Sequence, residues 1–170
     1  MTAKNNFIIN HKISDSRPSD PVARVFLGLY FAEAVDEFLS NNFKGCIRVN
    51  RSKFDNESVL VCGDYVAYFF KLLLTSVYGR VLLNMDISSG NQELVMSIEA
   101  AEVLNIADSE LRQIIKTARN AGMNIAISDR GMTLTLKYKD AQIHKVYAIS
   151  PEDGKRYVAE SFSEIFFLNH

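Results

Sequence analysis

The sequence lacks the features that would direct it to nucleic acid, to a membrane or to secretion. Lys and Arg (19) nearly balance Asp and Glu (20), and a net charge of -1 creates no positive field toward phosphate backbones or anionic lipid. No apolar run approaches the roughly 18 residues that suggest a membrane span, and residues 1–10 carry no apolar signal-peptide core. We therefore expect a cytoplasmic protein whose partners include no nucleic acid and no membrane.

Cysteine and histidine are too few and too scattered to predict a metal or catalytic centre. Cys46 and Cys62 have neither CxxC spacing nor a nearby histidine, so we expect both to be small buried hydrophobic residues. The histidines, His11, His144 and His170, do not lie on a predicted main helix with a carboxylate or cysteine at ligand spacing. No G-x-S-x-G nucleophile motif occurs either. The sequence therefore predicts no catalytic residue and no metal.

What the chain does contain is the composition of one ordinary globular domain. It has 170 residues, of which 48% are hydrophobic and 23% are charged. At this length, folding buries about 70% of the surface that the unfolded chain exposes, which is enough to build a core. We predict a single domain over residues 1–170.

Three helices are predicted from apolar residues spaced three and four apart. The first covers residues 20–42, with Pro21 at its first helical position. The second covers residues 64–79, and the third covers residues 108–121, with Gly122 as a left-handed residue after its end. The second helix is apolar on more than one face, so we expect it at the centre of the core.

Short runs rich in β-branched and apolar residues predict the strands between these helices. These runs are residues 46–49, 59–62, 81–87, 93–99, 123–127 and 132–138. Residues 81–87 and 93–99 are predicted to form a hairpin that turns at 88–91. The order of elements indicates an α+β fold, a two-layer α/β sandwich in which a mixed sheet carries the helices on one face.

Beyond Tyr138 the chain is rich in apolar residues, and a further hairpin is predicted in the extension formed by residues 139–170. Its strands are residues 143–149 and 156–159, separated by a turn at 150–154. An added hairpin creates an edge strand, which can accept a strand from another chain. We therefore predict contact with a partner protein or with a second copy, through the candidate interface residues Ile143, Tyr147, Tyr157, Phe166 and Phe167.

Two segments resemble the ATP-binding domain shared by sensor histidine kinases, gyrase and MutL-type ATPases. Val61-Cys62-Gly63-Asp64, leading into residues 65–78, is similar to the strand, Gly-Asp pair and long apolar helix that carry the kinase asparagine box. Residues 111–138, including Ala121-Gly122 and Ser128-Asp129-Arg130-Gly131, are similar to the closing segment of that family. The resemblance implies an ATPase-like scaffold over residues 14–138.

The same resemblance implies a nucleotide site, and the chain departs from the family at each of its positions. An active member holds magnesium with a helix asparagine and reads adenine with an Asp-x-Gly. The asparagine position falls on Thr75, with Lys71 one turn earlier, and the aspartate position falls on Glu99 with no glycine after it. The helix beneath the phosphates opens with Asp108 and Glu110 and contains no glycine there. Residues 100–107 leave no room for a lid over ATP.

We therefore hypothesise a degenerate histidine-kinase-type ATPase domain that is not an enzyme, holds no cofactor and acts by regulatory protein binding in signal transduction. Its vestigial pocket positions would be Lys71, Thr75, Glu99 and Asp108. Three alternatives stay open. One is a divergent kinase domain that still binds ATP and magnesium, another is a phosphotransferase-like partner of response regulators acting as a dimer, and the last is an α+β domain of another family.

Overall fold

The computed structural model describes residues 23–77, 81–139 and 150–167. In chain order the elements are β1 (Arg24–Leu27), α1 (Gly28–Asn42), β2 (Ile47–Arg51), β3 (Ser58–Val61), α2 (Gly63–Val77), β4 (Leu83–Gly90), β5 (Glu93–Ala100), α3 (Asp108–Asn120), β6 (Asn124–Ile127), β7 (Gly131–Lys137) and α4 (Pro151–Phe167). Among these described residues, no helix is long and apolar enough to cross a membrane.

Five strands form a mixed sheet in the order β2-β4-β5-β7-β6, with β2 parallel to β4 and all other pairs antiparallel. Side chains alternate between its two faces, as the strand geometry requires. Along β4, Leu83, Met85 and Ile87 are buried, whereas Asn84 and Asp86 are exposed. The sheet therefore has one inner face toward the helices and one outer face toward water, and the predicted α+β class is confirmed.

Helix α2 lies at the centre of the core, as its apolar sequence predicted. Phe69, Phe70, Leu73 and Leu74 are completely buried although they point in different directions around the helix axis. The helix packs against both α3 and α4 as well as the core. A helix that is apolar all round must be covered on several sides, and these neighbours provide the cover.

Aromatic side chains attach α4 to the other helices. The ring of Phe162 lies 5.0 Å from that of Phe38 on α1 and 6.1 Å from that of Phe70 on α2, measured between centroids. Phe166 lies 5.0 Å from Phe43, just beyond α1. Aromatic pairs at these separations add to the stability gained from burial alone. Helix α4, the described part of the extension, is therefore part of the domain core.

The predicted hairpin is wrong where the structure describes it, because residues 156–159 belong to α4. The buried residues Val158, Phe162 and Ile165 follow helical spacing. The supposed turn is the start of the helix: the hydroxyl of Ser150 accepts a hydrogen bond from the Asp153 amide at 3.2 Å. Pro151 at the first helical position fits this start as well. The other predicted strand, residues 143–149, lies outside the described residues.

The predicted start of the first helix is also wrong. Residues 24–27 form β1, which pairs antiparallel with β3, and the helix begins at Gly28. The Gly28 amide donates to the Glu57 carbonyl at 2.6 Å, and a Cβ at this position would lie 2.9 Å from the same oxygen. The pairing of β1 with β3 joins residues that are 31 to 37 positions apart in the chain. Such tertiary contacts override local helical spacing.

The first hairpin turns later than predicted. Strand β4 continues to Gly90, and the turn is made by Asn91 and Gln92, whose φ angles are 52° and 60°. Two successive residues with positive φ match the right-handed twist of the flanking strands. Gly122, with a φ of 96°, follows α3 as the sequence predicted.

Replacing Phe162 by alanine should lower the free energy of unfolding by about 3–5 kcal/mol, because it leaves a cavity where three helices meet. The matched control is Ser163→Ala on the next, exposed position, which should change it by less than about 0.5 kcal/mol. Urea unfolding followed by circular dichroism measures both. Equal stabilities for the two variants would contradict the place of α4 in the core.

Candidate functional site

The four positions implied as a vestigial nucleotide pocket lie on three different elements. Lys71 and Thr75 belong to α2, Glu99 to β5, and Asp108 begins α3. Lys71 is only 3% exposed, and its ammonium nitrogen lies 5.9 Å from the centre of the Tyr68 ring. Thr75, by contrast, has an exposed side chain. The two α2 positions therefore differ in their surroundings: Lys71 is inside the helical layer, and Thr75 faces water.

Glu99 lies on the face of the sheet opposite to the helices. Its neighbours Ile98 and Ala100 are buried in the core, whereas Glu99 is exposed and stands across from the exposed Asn84 of β4. Because successive side chains of a strand point to opposite faces, the Glu99 carboxylate points away from α2. It cannot share with Thr75 a ligand held between α2 and the sheet.

A small cavity lies where the end of α2 meets the connection from β5 to α3. It encloses about 100 Å³ and is lined by Val77, Val81, Glu102, Val103, Leu104 and Asn105. Binding sites for small molecules usually enclose about 300–1,000 Å³. None of the four implied nucleotide positions is among these lining residues. This cavity is too small for a nucleotide.

The connection from β5 to α3 is held close to the sheet. Residues 101–107 contain neither helix nor strand, and the Leu104 amide donates to the Asp129 carbonyl at 2.8 Å. The Ala100 amide donates to the Arg130 carbonyl at 2.9 Å, so the acceptors of both hydrogen bonds lie on the turn between β6 and β7. Only residues 101–107 separate β5 from α3, which agrees with the short connection over residues 100–107 that the sequence analysis describes.

The first turn of α3 is acidic. Asp108 and Glu110 lie there, and the preceding Ala107 provides no side-chain cap. Carboxylates at this end of a helix are stabilised by the positive end of its dipole. They repel a phosphate that approaches the same amides, since like charges at short range interact unfavourably.

Within residues 23–77, 81–139 and 150–167, no three side chains of the metal-ligating types come together. His11, His144 and His170 lie outside the described residues.

A network of charged side chains, which the sequence did not reveal, joins α1 to β2 and α4. Arg51 lies 2.9 Å from Asp36 and 3.5 Å from Glu33, while Lys155 lies 3.3 Å from Glu33 and 3.5 Å from Glu37. Removal from water lowers the pKa of Lys155, but hydrogen bonds and charges from Glu33 and Glu37 outweigh this and raise it. These cations come from distant parts of the chain, so spacing along α1 could not identify them.

The candidate interface residues on α4 differ in exposure. Phe166 is completely buried, so its prediction as a contact for another chain is wrong. Tyr157 is half-buried, and its ring would meet a Cβ at Gly63 at 2.9 Å, where α4 crosses the start of α2. Burial and the charge of Asp64 raise the pKa of the Tyr157 phenol. Phe167 remains partly exposed, while Ile143 and Tyr147 lie outside the described residues.

Both cysteines are buried, as the sequence predicted. Cys46 is 8% exposed and Cys62 is 5% exposed, and both are free thiols. Burial raises the pKa of each thiol, because the thiolate loses its hydration there.

Comparison with known proteins gives a match only among solved structures, since no family model and no curated protein matches the sequence. The histidine kinase AdeS of Acinetobacter baumannii is similar over 81% of this chain and 75% of that chain, with 11% identity and a TM-score of 0.48. The cytoplasmic segment of histidine kinase QseC is similar over 81% and 86%, with 10% identity and a TM-score of 0.42. The catalytic domain of histidine kinase ThkA is similar over 77% and 99%, with 12% identity and a TM-score of 0.39.

These solved structures are of the class that the sequence resembles. At TM-scores below 0.5 and identities near 10%, the likeness concerns the arrangement of elements, and no conclusion about a site or an activity rests on it.

At about pH 8, both thiols should react with Ellman's reagent at least about 100-fold more slowly in the folded chain than in guanidinium chloride. The reason is that burial disfavours the reactive thiolate and keeps the reagent away from it. Timed absorbance of the released thionitrobenzoate measures this. A fast native reaction at Cys46 or Cys62, identified with Cys→Ser variants, would instead reveal a reactive cysteine.

Proposed function

We propose that this chain is a degenerate, non-catalytic histidine-kinase-like ATPase domain that acts by binding protein in signal transduction. The main support for a non-catalytic domain is the orientation of the Glu99 side chain. Its carboxylate is on the outer face of the sheet, whereas α2, with Thr75, packs on the inner face. The two side chains that the divergent-kinase alternative requires therefore cannot contact one nucleotide together.

Two further features support the same proposal. The cavity beside the end of α2 encloses about 100 Å³, which is a fraction of a nucleotide site. The first turn of α3 presents Asp108 and Glu110 where the resemblance would place phosphates. Because apolar side chains fill the inner face of the sheet, a partner protein would bind at the exposed surfaces of the domain.

Mg-ATP and Mg-ADP at millimolar concentration should leave the melting temperature of the chain unchanged within error. A ligand present at 100 times its Kd would stabilise the fold by about 2.7 kcal/mol, equivalent to about 5–10 °C for a domain of this size. Differential scanning fluorimetry measures the shift, with a competent histidine kinase catalytic domain as the positive control.

A saturable shift with this chain, abolished by Thr75→Ala or by Glu99→Ala, would contradict the proposal and favour the divergent kinase. The matched control is Thr135→Ala on β7, which pairs with Val95, four positions along β5 from Glu99. A shift that all three variants retain would place a nucleotide elsewhere on the chain and would contradict the proposal equally.

A further inference from the structure

The exposed apolar side chains of the domain gather at one end of the five-stranded sheet. Among the described residues, the large hydrophobic side chains that face water are those of Leu82, Val103 and Ile127, which are 36%, 51% and 42% exposed. Leu82 comes just before β4, Val103 follows β5, and Ile127 ends β6. Apolar residues scattered singly over a surface are ordinary, whereas a group of them in one place marks a surface that binds something.

Strand pairing brings these three positions to the same end. The start of β4 lies beside the end of β5, where Leu83 pairs with Ala100. The start of β7 lies beside the end of β5 as well, and β6 ends beside the start of β7, where Ile127 pairs with Met132. Met132 is buried in the core. Because residues paired across antiparallel strands share a face, Ile127 is on the helix side of the sheet.

A cavity lies at this same end, beside the end of α2. It encloses about 100 Å³ and is lined by Val77, Val81, Glu102, Val103, Leu104 and Asn105. The last four of these belong to the connection from β5 to α3, in which Glu102 and Val103 are exposed, so the cavity borders the surface. An apolar cavity of roughly 150 Å³ can hold one benzene molecule. This cavity therefore has room for a single branched aliphatic side chain of another molecule.

The segments around the cavity are acidic. Residues 101–110 and the turn at 128–131 contain four carboxylates and one cation, which gives a net charge of -3: Glu102, Asp108, Glu110, Asp129 and Arg130. All five are exposed. Among the residues that the structure describes, none of the five forms a salt bridge. These carboxylates are therefore available to cations of another molecule.

The two acidic segments are fixed relative to each other. The Leu104 amide donates to the Asp129 carbonyl at 2.8 Å, and the Ala100 amide donates to the Arg130 carbonyl at 2.9 Å. Backbone hydrogen bonds thus hold the connection from β5 to α3 against the turn between β6 and β7. A surface that is already ordered loses little conformational entropy when a partner binds, which favours binding.

We propose that residues 81–82, 101–110 and 127–130, the acidic end, bind a basic amphipathic helix of a partner protein, and that one branched aliphatic side chain of this helix enters the cavity. The proposal rests on the proposed function and gives its protein binding a definite surface. A helix with apolar residues three and four apart presents one apolar face to such a surface. Its Lys and Arg residues would face Glu102 and Asp108, because complementary charge favours encounter and fixes orientation. Two acidic ends repel each other, so a second copy does not fit through the same surface.

Photochemical cross-linking tests where such a helix binds. The probe is a synthetic amphipathic peptide of about 15 residues, with Leu on one face and Lys on the other, in which one Leu is replaced by photo-leucine. After irradiation with the full chain, mass spectrometry of the digest should locate cross-links at residues 81–82 and 102–106. Cross-links confined to other surfaces, or none at all, would overturn the proposal.

Substitutions separate a specific contact from attraction by charge alone. Fluorescence anisotropy of the labelled peptide should show binding at least about tenfold weaker for Glu102→Lys and for Val103→Lys. The matched control is Glu160→Lys, which makes the same charge change at an exposed position of α4 and should alter affinity by less than about twofold. Circular dichroism and urea midpoints should agree among all variants, because each substitution is on the surface.

A peptide in which Ser replaces every Leu keeps the charge and loses the apolar face, so it should bind at least about tenfold more weakly. Equal binding of the two peptides, or equal effects of Glu102→Lys and Glu160→Lys, would mean that charge alone attracts the peptide and would overturn the proposal. Sedimentation velocity without peptide tests a second copy: a dimer that Val103→Lys dissociates would overturn it as well. The Mg-ATP measurement depends on none of these outcomes, so failure of this site and failure of the proposed function are distinguishable.

Discussion

Aromatic packing of α4 against α1 and α2 is the interaction on which the rest of the fold depends. Phe162 contacts Phe38 and Phe70, so one side chain connects three helices. Helix α2 is apolar on nearly all sides, and the sheet can cover only one of them. Without α4, part of this helix would face water. The last helix is therefore a structural requirement of the second.

The same packing fills the inner face of the sheet along β5 with apolar side chains. The inward side chains of β5 are Met96, Ile98 and Ala100, all buried in the core. A nucleotide site needs a few polar groups that converge on a hollow. Here the polar side chains of this strand point outward, and the inner space is filled by apolar contacts. The proposal of a degenerate site draws on this distribution of side chains along β5.

Local periodicity predicted most of the elements but not the contacts that decide between alternatives. Apolar spacing at residues 64–79 predicted α2, found at Gly63–Val77, because its buried residues repeat at helical intervals. Residues 24–27 have helical spacing too, yet their pairing with β3 makes them a strand. Ser150 and Pro151 suit a turn and a helix start equally well, and only the buried positions that follow decide in favour of α4. Whether the Glu99 side chain is buried or exposed likewise depends on the register of its strand.

The error about α4 changed the kind of surface that the sequence led us to expect. With residues 156–159 as a strand, the apolar residues of the extension seemed available to a partner. As a helix, the segment turns Phe162 and Phe166 inward and leaves Glu160 and Glu164 outward. Permanent interfaces are large and apolar at their centre, whereas charged ones associate fast and reversibly. A contact through this face would therefore depend on charge more than on buried apolar area.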